Sequence, residues 1–340
     1  MNIVVIQTAF PGDVILSTAI FEALKVKYPG SHAAAVVRPE SVCLLRGNPF
    51  IDDIIPFDKY GDSGGISGIF RMARRLRGFD KAIIIQRHLR SGLIPFFARI
   101  PERTGFQNAS ARFLYTEQIR YDENLHEVRR CLALADIEDP EVIYRPRIFI
   151  DQSTFDWADL KLLESGIKSD FAVVAPGSVW KTKRYPHYDK LIDLIYDKFS
   201  IPVVLVGSRE DTELSRLLVD SAAHLPLDLT GRTDLLQSAA VISKAKFVVS
   251  NDSAAAHLAA AVGTPVAAIF GPTIAGFGFA PYSENSAVID IGPLYCRPCS
   301  RHGSKKCSEG HFRCMKELEP LKVLEAIQSL LSGRTNHSLS

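Results

Sequence analysis

Three observations predict an α/β protein made of two domains with parallel sheets. Short apolar runs of strand length alternate with longer helix-compatible segments through both halves of the chain. A length of 340 residues accommodates two ordinary cores. One stretch, Phe247 to Pro272, packs strand, polar turn, small-residue helix and second strand into a single βαβ unit.

The elements follow in order. Strands are expected near 2–7, 33–37, 53–56 and 81–85, with helices near 13–27, 40–46, 66–77 and 89–98. Lys59 to Gly68, with four glycines, reads as a flexible loop. From Arg99 to Arg120 the alternation weakens and basic residues accumulate; Leu125 to Ala135 is then helical, and Tyr144 to Ile150 reads as a last strand. A polar amphipathic helix ending at Ser165-Gly166 puts the boundary near 151–168, giving a first domain of 1–160 and a second of 161–318. The second half repeats the pattern, with strands near 171–175, 202–206, 227–229, 247–250, 266–270 and 286–290, and helices near 187–199, 210–222, 234–244 and 254–262. A closing segment, 319–333, contains a helix over Pro320 to Leu331, and Gly333 to Ser340 is expected to fray. The two domains are expected to face each other across a cleft. Their likeness is one of pattern, without a sequence repeat.

Composition excludes several classes. Hydrophobic content of 46% with 23% charged residues is the profile of a globular protein, not of a disordered or fibrous one. A formal net charge of +2 gives no global attraction to nucleic acid. No run approaches the ~18 apolar residues of a membrane span, and Met1 leads straight into Ile3-Val4-Val5-Ile6 without a basic leader, so a cytoplasmic location is expected. Cys43 and Cys131 sit alone in apolar helical contexts and read as small buried hydrophobes.

The candidate chemistry lies in turns that follow strands. Asn251, Asp252 and Ser253 are N-cap types, so a helix starting at Ala254 would point free N–H groups and a positive dipole end out of the sheet's carboxyl edge, which suits phosphate. Asp252 reads equally as a cap, and His257 equally as a satisfied core histidine. After an earlier strand, Gly177-Ser178 is followed by Trp180-Lys181-Thr182-Lys183-Arg184-Tyr185-Pro186, three cations in four residues suited to a diphosphate or to a solvated loop. Gly207 and the Thr230 to Thr233 turn fall at the same edge. In the first half, Gly12-Asp13 follows the first strand and opens a helix, where Asp13 reads as a cap or as a general base. Arg87, His88, Arg90, Arg99, Arg103 and Arg112 gather near helix ends and could hold an anionic acceptor or form a solvated surface. Neither GxGxxG nor a P-loop lysine motif is present, which weakens dehydrogenase and P-loop hydrolase readings. Cys296, Cys299, Cys307 and Cys314 combine a CxxC with two further cysteines: four thiolates could close a structural zinc or iron site without an open position, or remain unligated.

In combination these motifs resemble glycosyltransferase family nine, the ADP-heptose:lipopolysaccharide heptosyltransferases. Gly12-Asp13, Pro176-Gly177-Ser178, Lys183 to Pro186, Asn251 to His257, Gly263-Thr264-Pro265, Phe270 to Thr273 and the late CxxC occur in the family's order. The resemblance implies two Rossmann-like domains in the GT-B arrangement, with the N-terminal domain taking the acceptor, the C-terminal one taking the nucleotide sugar, and the last helix crossing back toward the N-terminal domain. It implies an inverting transfer of L-glycero-D-manno-heptose from ADP-heptose to the lipopolysaccharide inner core, needing no catalytic metal or cofactor. Asp13 would be the base and Lys183 the cation on the departing ADP. Gly177, Ser178, Lys181, Arg184, Gly207, Thr233, Asp252, Ser253, Ala254 and His257 would line the donor site, with Gly12, Arg87, His88, Arg90 and Arg103 on the acceptor side. The acceptor, of Kdo-lipid A type, would bring the protein to the inner face of the cytoplasmic membrane as a peripheral visitor; no nucleic acid is expected. One position departs from the family: Ala254 replaces the usual glycine, and its Cβ bears on how closely the diphosphate approaches. The alternatives are a family-nine transferase with another donor or acceptor, and a nucleotide-sugar-binding protein without turnover.

Overall fold

A computed structural model describes residues 1–58, 61, 65–137, 139, 141 and 143–333. Part of the glycine-rich loop (59, 60 and 62–64) and of the C-terminal tail (334–340) therefore lies outside the described residues. The chain divides into two compact units, Met1–Phe149 and Ile150–Ser340.

The first unit runs β1 (Asn2–Ile6), α1 (Pro11–Ser17), α2 (Ala19–Lys27), β2 (His32–Val37), α3 (Val42–Leu45), β3 (Asp53–Pro56), α4 (Gly65–Arg75), β4 (Lys81–Ile84), α5 (Leu89–Phe97), β5 (Glu102–Phe106), β6 (Glu117–Ile119) and α6 (Glu127–Ala133). Its six strands are all parallel, in the order β3-β2-β1-β4-β5-β6. β1 shows why a continuous apolar run becomes a central strand. Val4 and Ile6 enter a core with Ile69 and Met72 of α4 and Ile94 of α5, while Ile3 and Val5 enter another with Val14, Phe21, Leu24 and Cys131 on the opposite face.

Two expectations are corrected here. The weakly patterned 99–120 region supplies β5 and β6, which complete the sheet. Tyr144 to Ile150 carries no strand: Pro146 has no N–H to offer, and the Arg147 N–H donates to Thr18 Oγ1 at 3.0 Å instead of to a ladder. The expected single helix over 13–27 is divided at Thr18, whose hydroxyl donates back to the Ile15 carbonyl at 2.7 Å.

The second unit runs α7 (Gln152–Glu164), β7 (Ala172–Ala175), α8 (Tyr188–Phe199), β8 (Val203–Leu205), α9 (Thr212–Ser221), β9 (Leu227–Asp228), α10 (Leu235–Lys244), β10 (Phe247–Asn251), α11 (Ala254–Ala261), β11 (Val266–Ile269), β12 (Ser286–Ile289), α12 (Arg313–Lys316) and α13 (Pro320–Leu331). The polar helix α7, at the expected boundary, thus counts with the second unit. The parallel strands order as β12-β11-β10-β7-β8-β9. Numbered within each unit, both sheets read 3-2-1-4-5-6, the Rossmann order, so the likeness is one of topology as well as pattern. α8 and α13 close one face over Leu191, Ile195, Val323 and Ile327. No helix among the described residues is long and apolar enough to cross a membrane.

Candidate active site

In a doubly wound sheet the crevice opens at the carboxyl ends of the two strands where the order reverses. Those strands are β1 and β4 in the first unit and β7 and β10 in the second.

In the second unit the turns after β7 and β10 are tied together by a residue of N-cap type that serves here as a buried anchor. Asn251, fully buried, donates from Nδ2 to the carbonyls of Pro176 (2.7 Å) and Gly177 (3.2 Å). Its Oδ1 accepts from the Tyr185 N–H at 3.0 Å and the Tyr188 hydroxyl at 3.1 Å. Three stretches distant in sequence thereby share one anchor. Lys183, in a short 3-10 turn, reaches Asp252 with Nζ–Oδ2 2.6 Å, the two side chains being 11% and 9% exposed. Thr273, from the Phe270 to Thr273 motif, donates to the same Oδ2 at 2.7 Å. Asp252 is therefore the partner that positions Lys183, and not the side-chain cap of α11.

Ser253 occupies the N-cap position of α11 and makes no capping bond to it, so the first-turn N–H groups of Ala254 and Ala255 are not taken by a cap side chain. His257 lies one turn in and is buried; desolvation pushes it down to about 4, against the charge of Asp252 and with the help of Lys183. It is neutral at neutral pH and adds no positive charge to the site.

The remaining donor candidates ring this centre. Ser178 is buried, and Arg184 is committed to structure: Nε donates to the Ser178 carbonyl at 2.9 Å and Nη2 pairs with Asp211 at 3.1 Å. Asp211 also accepts from Ser208 Oγ at 2.7 Å, and its carboxylate fills the space that a Cβ on Gly177 would need. Gly207 opens the turn after β8 against Thr230 and Asp211, whereas Thr233 bonds Ser238 at the start of α10, beside the outer strand β9. Lys181 is exposed.

The cysteine segment serves as a wall to this site. Cys299 N–H donates to the Pro272 carbonyl at 3.0 Å, Arg297 Nη2 to the Thr273 carbonyl at 3.1 Å, and Ser304 exchanges bonds with Thr182. Gly303, at φ +91°, lets the Lys183 stem and Trp180 pass so closely that a Cβ would crowd both. Of the two readings of the four cysteines, metal site or unligated thiols, the structure does not assemble the first: among the described residues no three His, Cys, Asp or Glu side chains are placed to share an ion. The Cys299 thiol instead donates to the Cys296 carbonyl at 2.8 Å, and burial pushes Cys314 up to about 11.

In the first unit Asp13 occupies the first turn of α1, behind Pro11, half-buried and close enough to α6 for its charge to help raise the Cys131 thiol. Gly12 precedes it. Ile85 N–H donates to Ile6 O, so the turn carrying Arg87 and His88 lies beside the turn carrying Asp13. Arg87 stacks over Tyr121 at 4.3 Å above a buried cluster in which Arg130 donates to Glu127 and to Tyr121 Oη, each at 3.0 Å. Burial raises the Glu127 carboxyl, while Arg130, Arg87 and Tyr121 pull it down. This cluster was not anticipated. Arg90 lies in the first turn of α5, next to His88. Arg103 does not join them. It stands near the start of β5, paired in register with Ala82, and donates to the backbone carbonyls of Leu114 and Ile100, toward the amino edge of the sheet.

Comparison with known proteins gives a consistent picture. The family model described as glycosyltransferase family 9 (heptosyltransferase) matches residues 69–311. Lipopolysaccharide heptosyltransferase 2 of Salmonella typhimurium is 30% identical, over 98% of this chain and 99% of its own. The structure of Escherichia coli ADP-heptose lps heptosyltransferase II superposes with a TM-score of 0.81 at 25% identity, covering 98% of this chain and 99% of that one. A family 9 glycosyltransferase structure from Veillonella parvula shares the fold at a TM-score of 0.88 and 24% identity, covering 97% of each chain.

Proposed function

We propose that this chain, which belongs to glycosyltransferase family 9, the heptosyltransferase family, is an inverting enzyme. It moves L-glycero-D-manno-heptose from ADP-heptose to the lipopolysaccharide inner core and is closer in kind to the second inner-core transferase than to the first. That it is a glycosyltransferase of the two-domain α/β GT-B class follows from membership; donor, acceptor and stereochemistry are the proposal.

The observation that carries the reading is the Lys183–Asp252 pair beside the uncapped start of α11, at the switch point of the second sheet. Breaking the bond between the sugar's anomeric carbon and the β-phosphate oxygen leaves charge on that oxygen. A fixed cation and helix N–H groups stabilise it as it develops. Asp252 and Thr273 hold Lys183 in place before the donor arrives, so little reorganisation is needed in the reaction. Asp13 takes the proton of the acceptor hydroxyl as its oxygen attacks from the opposite face, which inverts the anomeric centre. Gly12, Arg87, His88 and Arg90, on neighbouring turns, hold the anionic acceptor; Arg103 leaves that set because it stands near the start of β5, toward the amino edge of the sheet and away from those turns. The transfer asks for no cofactor. The lipid-borne acceptor places the reaction in the cytoplasm, at the inner face of the membrane.

Titration with ADP-heptose, GDP-mannose and UDP-glucose, followed by turnover on deacylated inner-core acceptor, tests this. Selective binding of ADP-heptose is expected, with ADP released only on adding acceptor; Asp13→Asn abolishes release and leaves ADP affinity nearly intact. Selective binding of another nucleotide sugar, or undiminished transfer by Asp13→Asn, overturns it.

A further inference from the structure

The outer layer of the first unit presents a feature the transfer reaction does not use. Phe70 of α4 and Phe96 and Phe97 of α5 pack on one another, with ring centroids 4.6 Å (Phe70–Phe97) and 5.5 Å (Phe96–Phe97) apart, yet they stay 50%, 43% and 37% exposed. With Ile100 and Pro101 they line a groove of about 570 Å³ whose rim carries Arg77, Arg99 and Arg103. Three clustered aromatics left in water are not ordinary surface; such patches mark contact sites.

Charge identifies the partner. From Gly65 to Pro101 the chain carries seven arginines against one acid, Asp80, and that carboxylate already accepts from the Asn2 N–H at 2.7 Å. Among the described residues, no acidic side chain lines the groove. Arg103 is held over Phe96 at 5.9 Å by backbone carbonyls, so its cation is fixed beside the aromatic surface. Arg99 is more telling. It follows α5 at φ +62°, a left-handed position that glycine takes freely and an arginine takes at a cost, and it is a rim residue of the groove. Arginines also continue along the exposed side of α4 at Arg74 and Arg75, so the positive surface is broad and not focused on one pocket. Rings that insert shallowly, cations at phosphate depth and a wide anionic counterpart are the chemistry of a bilayer interface.

We propose that the α4–α5 face, through Phe70, Phe96, Phe97, Arg77, Arg99 and Arg103, docks the protein on anionic phospholipid bilayers. This goes beyond the transfer reading and does not depend on it, because the probe contains no acceptor. Co-sedimentation of the full chain with vesicles of phosphatidylcholine alone, and of phosphatidylcholine with phosphatidylglycerol, tests it. Binding is expected only to the anionic vesicles, and it weakens as salt rises. Arg99→Gly lowers vesicle affinity about fivefold, the value of one surface arginine, while thermal stability is kept or raised because glycine relieves the left-handed position. Phe70→Ser with Phe97→Ser, both exposed, reduces binding to the level of neutral vesicles with ADP affinity retained. Equal sedimentation with neutral and anionic vesicles, or wild-type binding by Arg99→Gly and by the double variant, overturns the proposal. So does sedimentation-velocity detection of a dimer that the double variant dissolves while the wild type ignores vesicles, because the face would then belong to a second copy.

Discussion

Replacing Lys183 with Met separates what its charge does for stability from what it does for the reaction. Methionine keeps an apolar stem against Gly303 while removing the ammonium group from Asp252. Both partners are about nine-tenths buried, so solvent screens the orphaned carboxylate little; the Thr273 hydroxyl remains on it, at 2.7 Å. Breaking a buried pair on one side typically costs about 3 to 5 kcal/mol, and the surviving hydrogen bond brings the expectation down to about 2 to 3 kcal/mol. For a unit of this size that corresponds to a melting temperature about 6 to 9 °C lower. Adding Asp252→Asn removes the orphaned charge, and stability is expected to return to within about 1 kcal/mol of the parent. Turnover behaves differently. The loss of a cation placed on developing phosphate charge costs about 10² to 10³ in kcat, and the double variant does not recover it. Calorimetry on the four proteins of the cycle, with ADP-release kinetics on each, reads both quantities. Recovery of turnover in the double variant would refute the role given to Lys183; a Lys183→Met protein as stable as the parent would refute the buried coupling.

Two further outcomes follow from the same site. His257 is held down to about 4 from 6.5, so between those values the unfolded chain binds more protons than the native one, and stability is lost as pH falls through this window, by at most about 3 kcal/mol. His257→Gln is expected to flatten the pH dependence of denaturant midpoints between pH 7 and 5; an unchanged slope would assign that dependence elsewhere. Gly177→Ala drives a Cβ into the Asp211 carboxylate, releasing its hold on Arg184 and Ser208. A loss of about 1 to 3 kcal/mol with weaker ADP binding is expected by thermal shift, and neutrality in both would show that the turn can move aside without consequence.

The repeated sheets were readable because buried parallel strands such as Ile3 to Ile6 and Val248 to Val249 are continuous apolar runs set against helix-length segments. β5 and β6 escaped notice for identifiable reasons: Gly105 interrupts β5 so that the Tyr115 ring can lie against it, and β6, Glu117-Gln118-Ile119, is a polar edge strand. Tyr144 to Ile150 misled in the opposite sense: it lies outside any strand, with Pro146 lacking an N–H and the Arg147 N–H donating to the Thr18 side chain. Within the site, residue types revealed where chemistry gathers but not who holds whom. Asp252 and Lys183 stand out as charges at strand ends, yet their pairing, Thr273 beside them and Asp211 beneath Gly177 join positions far apart in sequence. Arg103 shows the converse. Its place among basic residues suggested a ligand, and the register of β5 sent it to the other edge.

Asn251 has a consequence for how this protein can change over generations. One carboxamide donates to two carbonyls and accepts from an N–H and a phenol, with no surface exposed. Aspartate keeps the acceptor and loses both donors; glutamine keeps both but adds a methylene where there is no room. Every single substitution at this position therefore disturbs three turns at once, and the donor-side crevice can drift around it only if Tyr185, Tyr188 and the turn at Pro176 and Gly177 are altered together. Lineages free to vary the exposed Lys181 or Val179 nearby would find this position closed.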